Sequence, residues 1–382
     1  MSKNNDKKTM PGTHFMLGNH AIVEGALAAG CDFFAGYPIT PANEISQYMS
    51  ERMPKTGGVF FQGEDELCSI FALSGASLSG AKVMTATASA GFNYMQEGIG
   101  YAVASELPMV IVNVMRCRGE NYATQSDVMQ LRWGASGDHE HIVLAPASVQ
   151  ELFDYTVRAF NLSEKYRTPV IVMSETTISL MREKLVIPGT EEIEIVNRKK
   201  PDVLPEAFVP FKAPEDQAPP LPDFGDGYRI LHSLNPHDEK GGIAWDPDVY
   251  EKLYHRITNK IRANYDDIVR VEEFKLDDAD IALVAYGSET RPARQAARMA
   301  REKGIKAGVL KLNTIWPVPE KHLVNLSKKV KKILTVEMNI GKYANEIDRV
   351  CGRNCDVGRV LKNRGEIHTT TEVLRAIEEA TK

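Results

Sequence analysis

Six short runs in the first half of the chain are near-continuously apolar or β-branched: FFAGY (33–37), VFF (59–61), VMTATA (83–88), MVIVNVM (109–115), IVLA (142–145) and VIVMS (170–174). A strand with one wet face alternates apolar and polar residues, so runs of this kind predict strands covered on both sides. Between them the apolar spacing switches to a helical period over 19–29, 41–53, 65–78, 93–105 and 148–165, with Gly30 closing the first. Strands and helices alternating at this spacing predict an α/β domain built on a doubly wound parallel sheet.

The texture changes at Pro188. Charge and proline accumulate up to about Asp277, as in PEDQAPPLPDFGDG (214–227), with one helix expected over 248–264. A segment of that length is expected to wrap over a neighbouring surface rather than act as a tether. The α/β pattern then resumes with IALVAYG (281–287), a helix over 290–303, AGVLKL (307–312), a helix near 319–328 and KILTVEM (332–338). The organisation expected is a disordered lead-in over 1–13, a first α/β domain over 14–187, a connecting segment over 188–277 and a smaller α/β domain over 278–382. The two domains show no sequence repeat.

Composition narrows the function classes. The chain has 382 residues, 43% of them hydrophobic, and 46 Lys+Arg against 51 Asp+Glu give a net charge of −5. Length favours two domains, and the balance of charge gives no pull toward nucleic acid or an anionic membrane. No apolar run reaches the roughly 18–20 residues of a membrane helix. The first residues, basic but with no apolar stretch behind them, do not read as a secretory signal, and a cytoplasmic protein is expected. Five scattered cysteines (Cys31, Cys68, Cys117, Cys351, Cys355) fit a reducing compartment and have neither zinc nor iron–sulfur spacing.

Ligands of open parallel sheets bind at the carboxyl ends of the strands, and three polar stretches fall there. In GYPITP (36–41), Thr40 and Pro41 suit the N-cap and first position of a helix, and a helix start also suits a carboxylate. In QGEDELCSI (62–70), the acidic residues either complement a helix dipole or supply a sheltered carboxylate for proton transfer. At the end of MVIVNVM, Arg116-Cys117-Arg118 either bind a substrate carboxylate or pair with Glu120 or Asp127. These residues leave both alternatives open in each case.

GYPITPANEI (36–45), the segment 60–99 from FFQGEDELCSI to NYMQEGI, LPMVIVNVMR (107–116), IVLAPASVQE (142–151) and HDEKGG (237–242) together resemble the α subunit of 2-oxoacid:ferredoxin oxidoreductases. The resemblance runs from about Leu17 over essentially the whole chain. Among relatives the branched-chain (2-oxoisovalerate) type is nearer than the pyruvate type. It implies a pyrimidine-type thiamine-diphosphate-binding domain followed by a transketolase C-terminal-like domain. It also implies thiamine diphosphate shared with a β subunit that carries Mg²⁺ and a 4Fe–4S cluster, with γ and ferredoxin-like subunits, coenzyme A as a substrate and ferredoxin or another electron acceptor. No metal site is expected on this chain.

The resemblance assigns roles. Glu66, nine residues before Gly75, would hydrogen-bond the pyrimidine N1′, with Glu64 as second choice. Pro38, Ile39 and Phe92 would contact the cofactor; Thr40, Tyr37, Arg116 and Arg118 would face the substrate. Relatives continue after the arginine with an RGGPxxG-like stretch, where this chain reads RCRGENYATQSD (116–127). A branched-chain or aromatic 2-oxoacid is the expected substrate, with 2-oxoglutarate as the alternative. A subunit of a lipoyl-type dehydrogenase and a non-catalytic interaction protein on the same scaffold are the other readings. GDG (225–227) lies in a proline-rich connector without the following asparagines of a magnesium–diphosphate motif, and DHEH (138–141) has metal-ligand types at poor spacing.

Overall fold

A computed structural model of the chain describes residues 9–117, 121–232 and 235–382. Its strands, in chain order, are β1 (Gly12–Leu17), β2 (Phe33–Gly36), β3 (Val59–Gln62), β4 (Val83–Ala88), β5 (Met109–Met115), β6 (Ile142–Leu144), β7 (Pro169–Glu175), β8 (Arg182–Ile187), β9 (Val271–Phe274), β10 (Ile281–Ala285), β11 (Ala307–Leu312), β12 (Thr314–Trp316), β13 (Lys332–Glu337) and β14 (Asp356–Leu361). The larger sheet has the order β12-β6-β7-β5-β4-β2-β3. All its strands are parallel except β12, which pairs antiparallel with β6. The smaller sheet runs β14-β13-β10-β11-β9, parallel apart from β9.

The side chains of β5 show why its sequence is continuously apolar. Val110, Val112 and Val114 join a core with Ile22, Met49 and Phe153, from the helices Gly18–Ala28, Asn43–Thr56 and Val149–Tyr166. Met109, Ile111 and Met115 join a second core with Leu73 and Ile99, from the helices Glu66–Leu78 and Gln96–Ala104. That second core also takes in Leu312, Trp316 and Tyr343 from the C-terminal part of the chain. Both faces are therefore dry, and successive side chains feed opposite cores.

The structure revises several expectations. The lead-in expected over 1–13 gives way by Thr9, which is buried and bonded to Thr190 at 2.9 Å, and Gly12 already opens β1; residues 1–8 lie outside the described residues. β1 pairs antiparallel with β8 as a separate ribbon. The helix expected over 93–105 is two, Ser89–Tyr94 and Gln96–Ala104. Residues 271–274, assigned to the connecting segment with no strand expected, form β9 of the smaller sheet, and β12 returns from the C-terminal region to extend the larger one. Long-range pairing, not local propensity, makes these short strands.

The connecting segment does wrap. Arg198 is buried and paired with Glu164 at 2.7 Å, and Arg167 Nη1 donates to Pro219 O at 2.9 Å. Its helix, Pro247–Arg262, is held by one fully buried carboxylate, Glu106. Lys260 Nζ donates to Glu106 at 2.6 Å and Arg256 Nη1 at 3.1 Å, from one helix face four residues apart, while Arg167 Nε donates to Glu106 O at 3.0 Å. Burial would raise the Glu106 carboxyl, but Lys260 and Arg256 outweigh it and hold it well below the usual range. Removing one member strands the others: Glu106→Gln is expected to cost about 3–5 kcal/mol. A lowered denaturant midpoint would show this loss; an unchanged midpoint would mean that the cluster does not hold the segment.

Candidate active site

Because β2, β3, β4, β5 and β7 are parallel, their carboxyl ends open along one edge, and the sequence-predicted residues leave from there. The turn after β3 runs Gly63-Glu64-Asp65 into the helix Glu66–Leu78. Asp65 is its N-cap, accepting from Cys68 N at 2.6 Å. That separates the acidic residues: Glu64 is exposed, Asp65 is spent on the cap, and Glu66 is only 5% exposed.

Glu66 reaches across the edge. A Cβ added to Gly91 would stand 2.2 Å from Glu66 Oε1 and 2.2 Å from Thr87 Oγ1, so the carboxylate lies against the short helix Ser89–Tyr94 that follows β4. Only a residue without a side chain permits that approach. Among the described residues, Glu66 has no cation partner and no side-chain donor. Burial, with Asp65 adding to it, raises its pKa above the ordinary carboxylate value, against the pull of its own backbone N–H.

Arg116 stands one strand further along. Its backbone N donates to Ser89 Oγ at 3.2 Å, and Ser89 Oγ donates to Arg116 O at 3.1 Å, so the helix that carries Gly91 also holds the end of β5. The Arg116 guanidinium bonds Asn121 Oδ1 at 3.4 Å through Nη1. Asp127, the alternative partner, instead takes Asn113 Nδ2 at 3.0 Å and Ser126 Oγ at 3.1 Å. Arg118 and Glu120 lie outside the described residues. Ser89, Asn93, Tyr94, Arg116, Cys117 and Asp127 line a cleft of about 440 Å³.

Thr40 is not an N-cap. The helix starts at Asn43, behind Ala42, which makes no side-chain cap. The turn is tied instead by Asn19 Nδ2, which donates to Pro41 O at 2.8 Å and Glu44 Oε2 at 3.0 Å. Asn43 Nδ2 donates to Thr40 Oγ1 at 3.1 Å, which leaves the hydroxyl proton for another acceptor. Tyr37 and Pro38 are exposed and Ile39 is half-buried. Phe92, expected to contact the cofactor, is 0% exposed and packs in the core with Met95 and Ile99, so in this structure it offers no surface to a ligand.

Gly91 and Ser89 escaped the sequence reading, although SAG directly after an apolar strand is a signal for close approach. At DHEH, His139 and His141 stack at 4.7 Å and Glu140 pairs with Arg132 at 2.9 Å. Burial lowers both imidazoles, His141 to about 3.

The two sheets and this edge define a thiamine-diphosphate-type α/β protein. The family described as "Pyruvate flavodoxin/ferredoxin oxidoreductase, thiamine diP-bdg" matches residues 24–256, and "Pyruvate:ferredoxin oxidoreductase core domain II" matches 279–373. The chain belongs to the 2-oxoacid:ferredoxin oxidoreductases, as a relative of their α subunits. It is 47% identical over 369 residues to the 2-oxoglutarate synthase subunit KorA of Methanothermobacter thermautotrophicus, covering 95% of this chain and 98% of that one. To the ketoisovalerate oxidoreductase subunit VorB of Methanothermobacter marburgensis it is 35% identical over 372 residues, covering 96% and 97%.

Among solved structures it is similar to the 2-oxoglutarate:ferredoxin oxidoreductase of Magnetococcus marinus, which holds 2-oxoglutarate, coenzyme A and succinyl-CoA. The TM-score is 0.90 at 28% identity, over 97% of this chain and 65% of that one. A split-gene transketolase shares the fold at a TM-score of 0.56 and 14% identity, over 96% of this chain and 98% of that one. Among the described residues, no helix is long and apolar enough to cross a membrane.

The raised Glu66 pKa has a consequence for stability. Below roughly pH 4 the group is neutral in both folded and unfolded chains. As pH rises through the folded value, the native state must bury a charge that the unfolded chain leaves in water. Glu66→Gln is therefore expected to match the parent's melting temperature below about pH 4 and to exceed it once pH has risen through the raised folded value, the difference then levelling off. A difference independent of pH would contradict a sheltered carboxylate.

Proposed function

We propose that this chain is the pyrimidine-side subunit of an enzyme that oxidatively decarboxylates 2-oxoglutarate to its acyl-CoA and CO₂. The observation that carries the reading is Glu66: a buried carboxylate with no cation partner among the described residues, set against Gly91 beside the cleft that Arg116 lines. Its surroundings fit thiamine diphosphate, because an unpaired carboxylate of raised pKa can share a proton with a ring nitrogen. When bound, the cofactor supplies the carbanion chemistry and the electron sink. The chain's own share is placement and protons. Glu66 holds the proton at its carboxyl oxygen toward N1′, Thr40 donates its hydroxyl proton to a substrate oxygen, and Arg116 pairs with the 1-carboxylate.

A partner is part of the reading. Val59 and Phe61 on the edge strand β3, Leu67 and Phe71 on the helix that begins with Glu66, and Tyr94 are all exposed. An apolar rim around a catalytic carboxylate suits a covering subunit. That β subunit would bring the diphosphate and Mg²⁺ site and the 4Fe–4S cluster; γ and ferredoxin-like subunits would complete the assembly, with ferredoxin as acceptor. Relatives named as 2-oxoglutarate synthase support 2-oxoglutarate as the substrate, at 47% identity against 35% for a ketoisovalerate enzyme. That reverses the order expected from sequence, which placed a branched-chain or aromatic acid first.

In the assembled enzyme, Glu66→Gln is expected to lower kcat by roughly 10²–10⁴-fold, while Glu64→Gln stays near the parent. Near-normal turnover of Glu66→Gln, measured as CO₂ release, would overturn the assignment. Arg116→Ala is expected to raise KM for the 2-oxoacid by about tenfold or more, with a smaller fall in kcat. Across a panel of 2-oxoacids, kcat/KM should be highest for 2-oxoglutarate; a preference for 2-oxoisovalerate would restore the earlier expectation.

A further inference from the structure

We propose that Gln125 is a positioning residue for the substrate's carboxylate, fixing the turn behind Arg116 to the C-terminal domain so that this domain sets where the guanidinium stands. The inference rests on Arg116 being the carboxylate anchor.

Arg116 directly follows β5; Cys117 N donates to Tyr122 O at 3.0 Å, and Asn121 takes the Arg116 guanidinium. Behind this turn the chain enters the second domain's surface. Gln125 is 0% exposed, and every polar group it has is used. Its N donates to Met338 O at 2.9 Å, its Oε1 accepts from Met338 N at 2.9 Å, and its O accepts from Asn339 Nδ2 at 3.0 Å. Its Nε2 donates to Tyr286 O at 3.0 Å and to Glu175 Oε1 at 2.7 Å. Four of these five bonds cross to the C-terminal domain. The fifth reaches Glu175, at the end of β7, which is itself bonded by Ser288 N at 3.2 Å and by Ser288 Oγ.

Two further contacts hold the same stretch. Lys342 Nζ donates to Ser126 O at 2.7 Å, and a Cβ on Gly365 would stand 2.5 Å from Tyr122 Cβ. Among the described residues, most of the bonds that hold Gln125 come from the second domain, so the position of this turn depends on it. Burial pushes the Glu175 carboxyl up to about 7, with Ser288 and Gln125 pulling the other way and Glu289 adding to the rise. The Gln125 amide is thus one of the donors that oppose this rise and tie Glu175 to the junction.

The test uses the assembled enzyme. Gln125→Glu keeps the size and the acceptor for Met338 N–H but sets a second carboxylate against Glu175. KM for the 2-oxoacid is expected to rise about tenfold with kcat changed far less. Amide exchange at Cys117 and over 121–126 should quicken about tenfold, while the strands of the larger sheet keep their protection. Gln125→Glu combined with Glu175→Gln restores the bond between positions 125 and 175, though not the one to Tyr286 O, and should recover part of the KM.

An unchanged KM in a folded variant overturns the proposal, as does exchange that quickens uniformly, which marks a merely structural role. If Gln125→Glu does not fold, Ser288→Ala decides on the same two readouts: a smaller rise in the same direction supports the proposal, and no change overturns it. If the parent enzyme oxidises no 2-oxoacid, the functional reading fails instead, and the local exchange alone decides whether Gln125 holds the turn.

Discussion

The parallel pairing of β3, β2, β4, β5, β7 and β6 governs the rest of this molecule. Parallel strands put all their carboxyl ends on one edge, and helices on both faces leave no other place for a polar group to emerge. Thr40, Glu66, Ser89, Arg116 and Glu175 come from five separate stretches, yet all follow or end a strand at that edge. Asn113, a polar residue inside β5, shows the constraint from within: it is fully buried and tied to Asp127. Chemistry gathers at the edge because the sheet admits it nowhere else.

Two buried glutamates show how environment separates structure from function. Glu106 is enclosed with Lys260 and Arg256 and is held ionised, and its contacts end in the connecting helix. Glu66 is almost as enclosed but has no cation among the described residues, and its pKa moves the opposite way. A carboxylate paired with two cations is a clamp, costly to break and chemically quiet. One left unpaired costs stability unless something outside the chain uses it, which makes Glu66 the residue of functional interest.

The larger sheet was legible because burial on two faces writes itself into a strand as a continuous run. β1, β8, β9 and β12 were not. β8 reads REKLVI, with charges along its exposed side, and β12 is three residues long and finds its partner more than a hundred residues upstream. At the site, the family spacing favoured Glu66 over Glu64; with Asp65 capping the helix, Glu66 is buried and Glu64 is left exposed. Gly91 was only partly legible: SAG after an apolar strand signals a close approach, but that a carboxylate from another strand makes it is not written locally. Phe92 misled for the same reason: its position in sequence suits the edge, but its ring turns into the core.

Substrate choice depends on charges that this edge only partly supplies. A 2-oxoacid with one carboxylate needs one cation, whereas a dicarboxylate left with its second charge unpaired in a closed site would cost several kcal/mol, on the order of the penalty for a buried ion. Among the described residues lining the cleft, Arg116 is the one cation. A further cation beside it is Lys342, whose ammonium donates to the backbone O of Ser126, a cleft residue, and has no carboxylate partner among the described residues. It comes from the C-terminal domain, as do the groups that hold Gln125. The first domain thus supplies the strand end that carries Arg116, and the second supplies both its bearing and the adjoining positive charge. A change at the junction would therefore alter recognition of the acid before it altered the chemistry at Glu66.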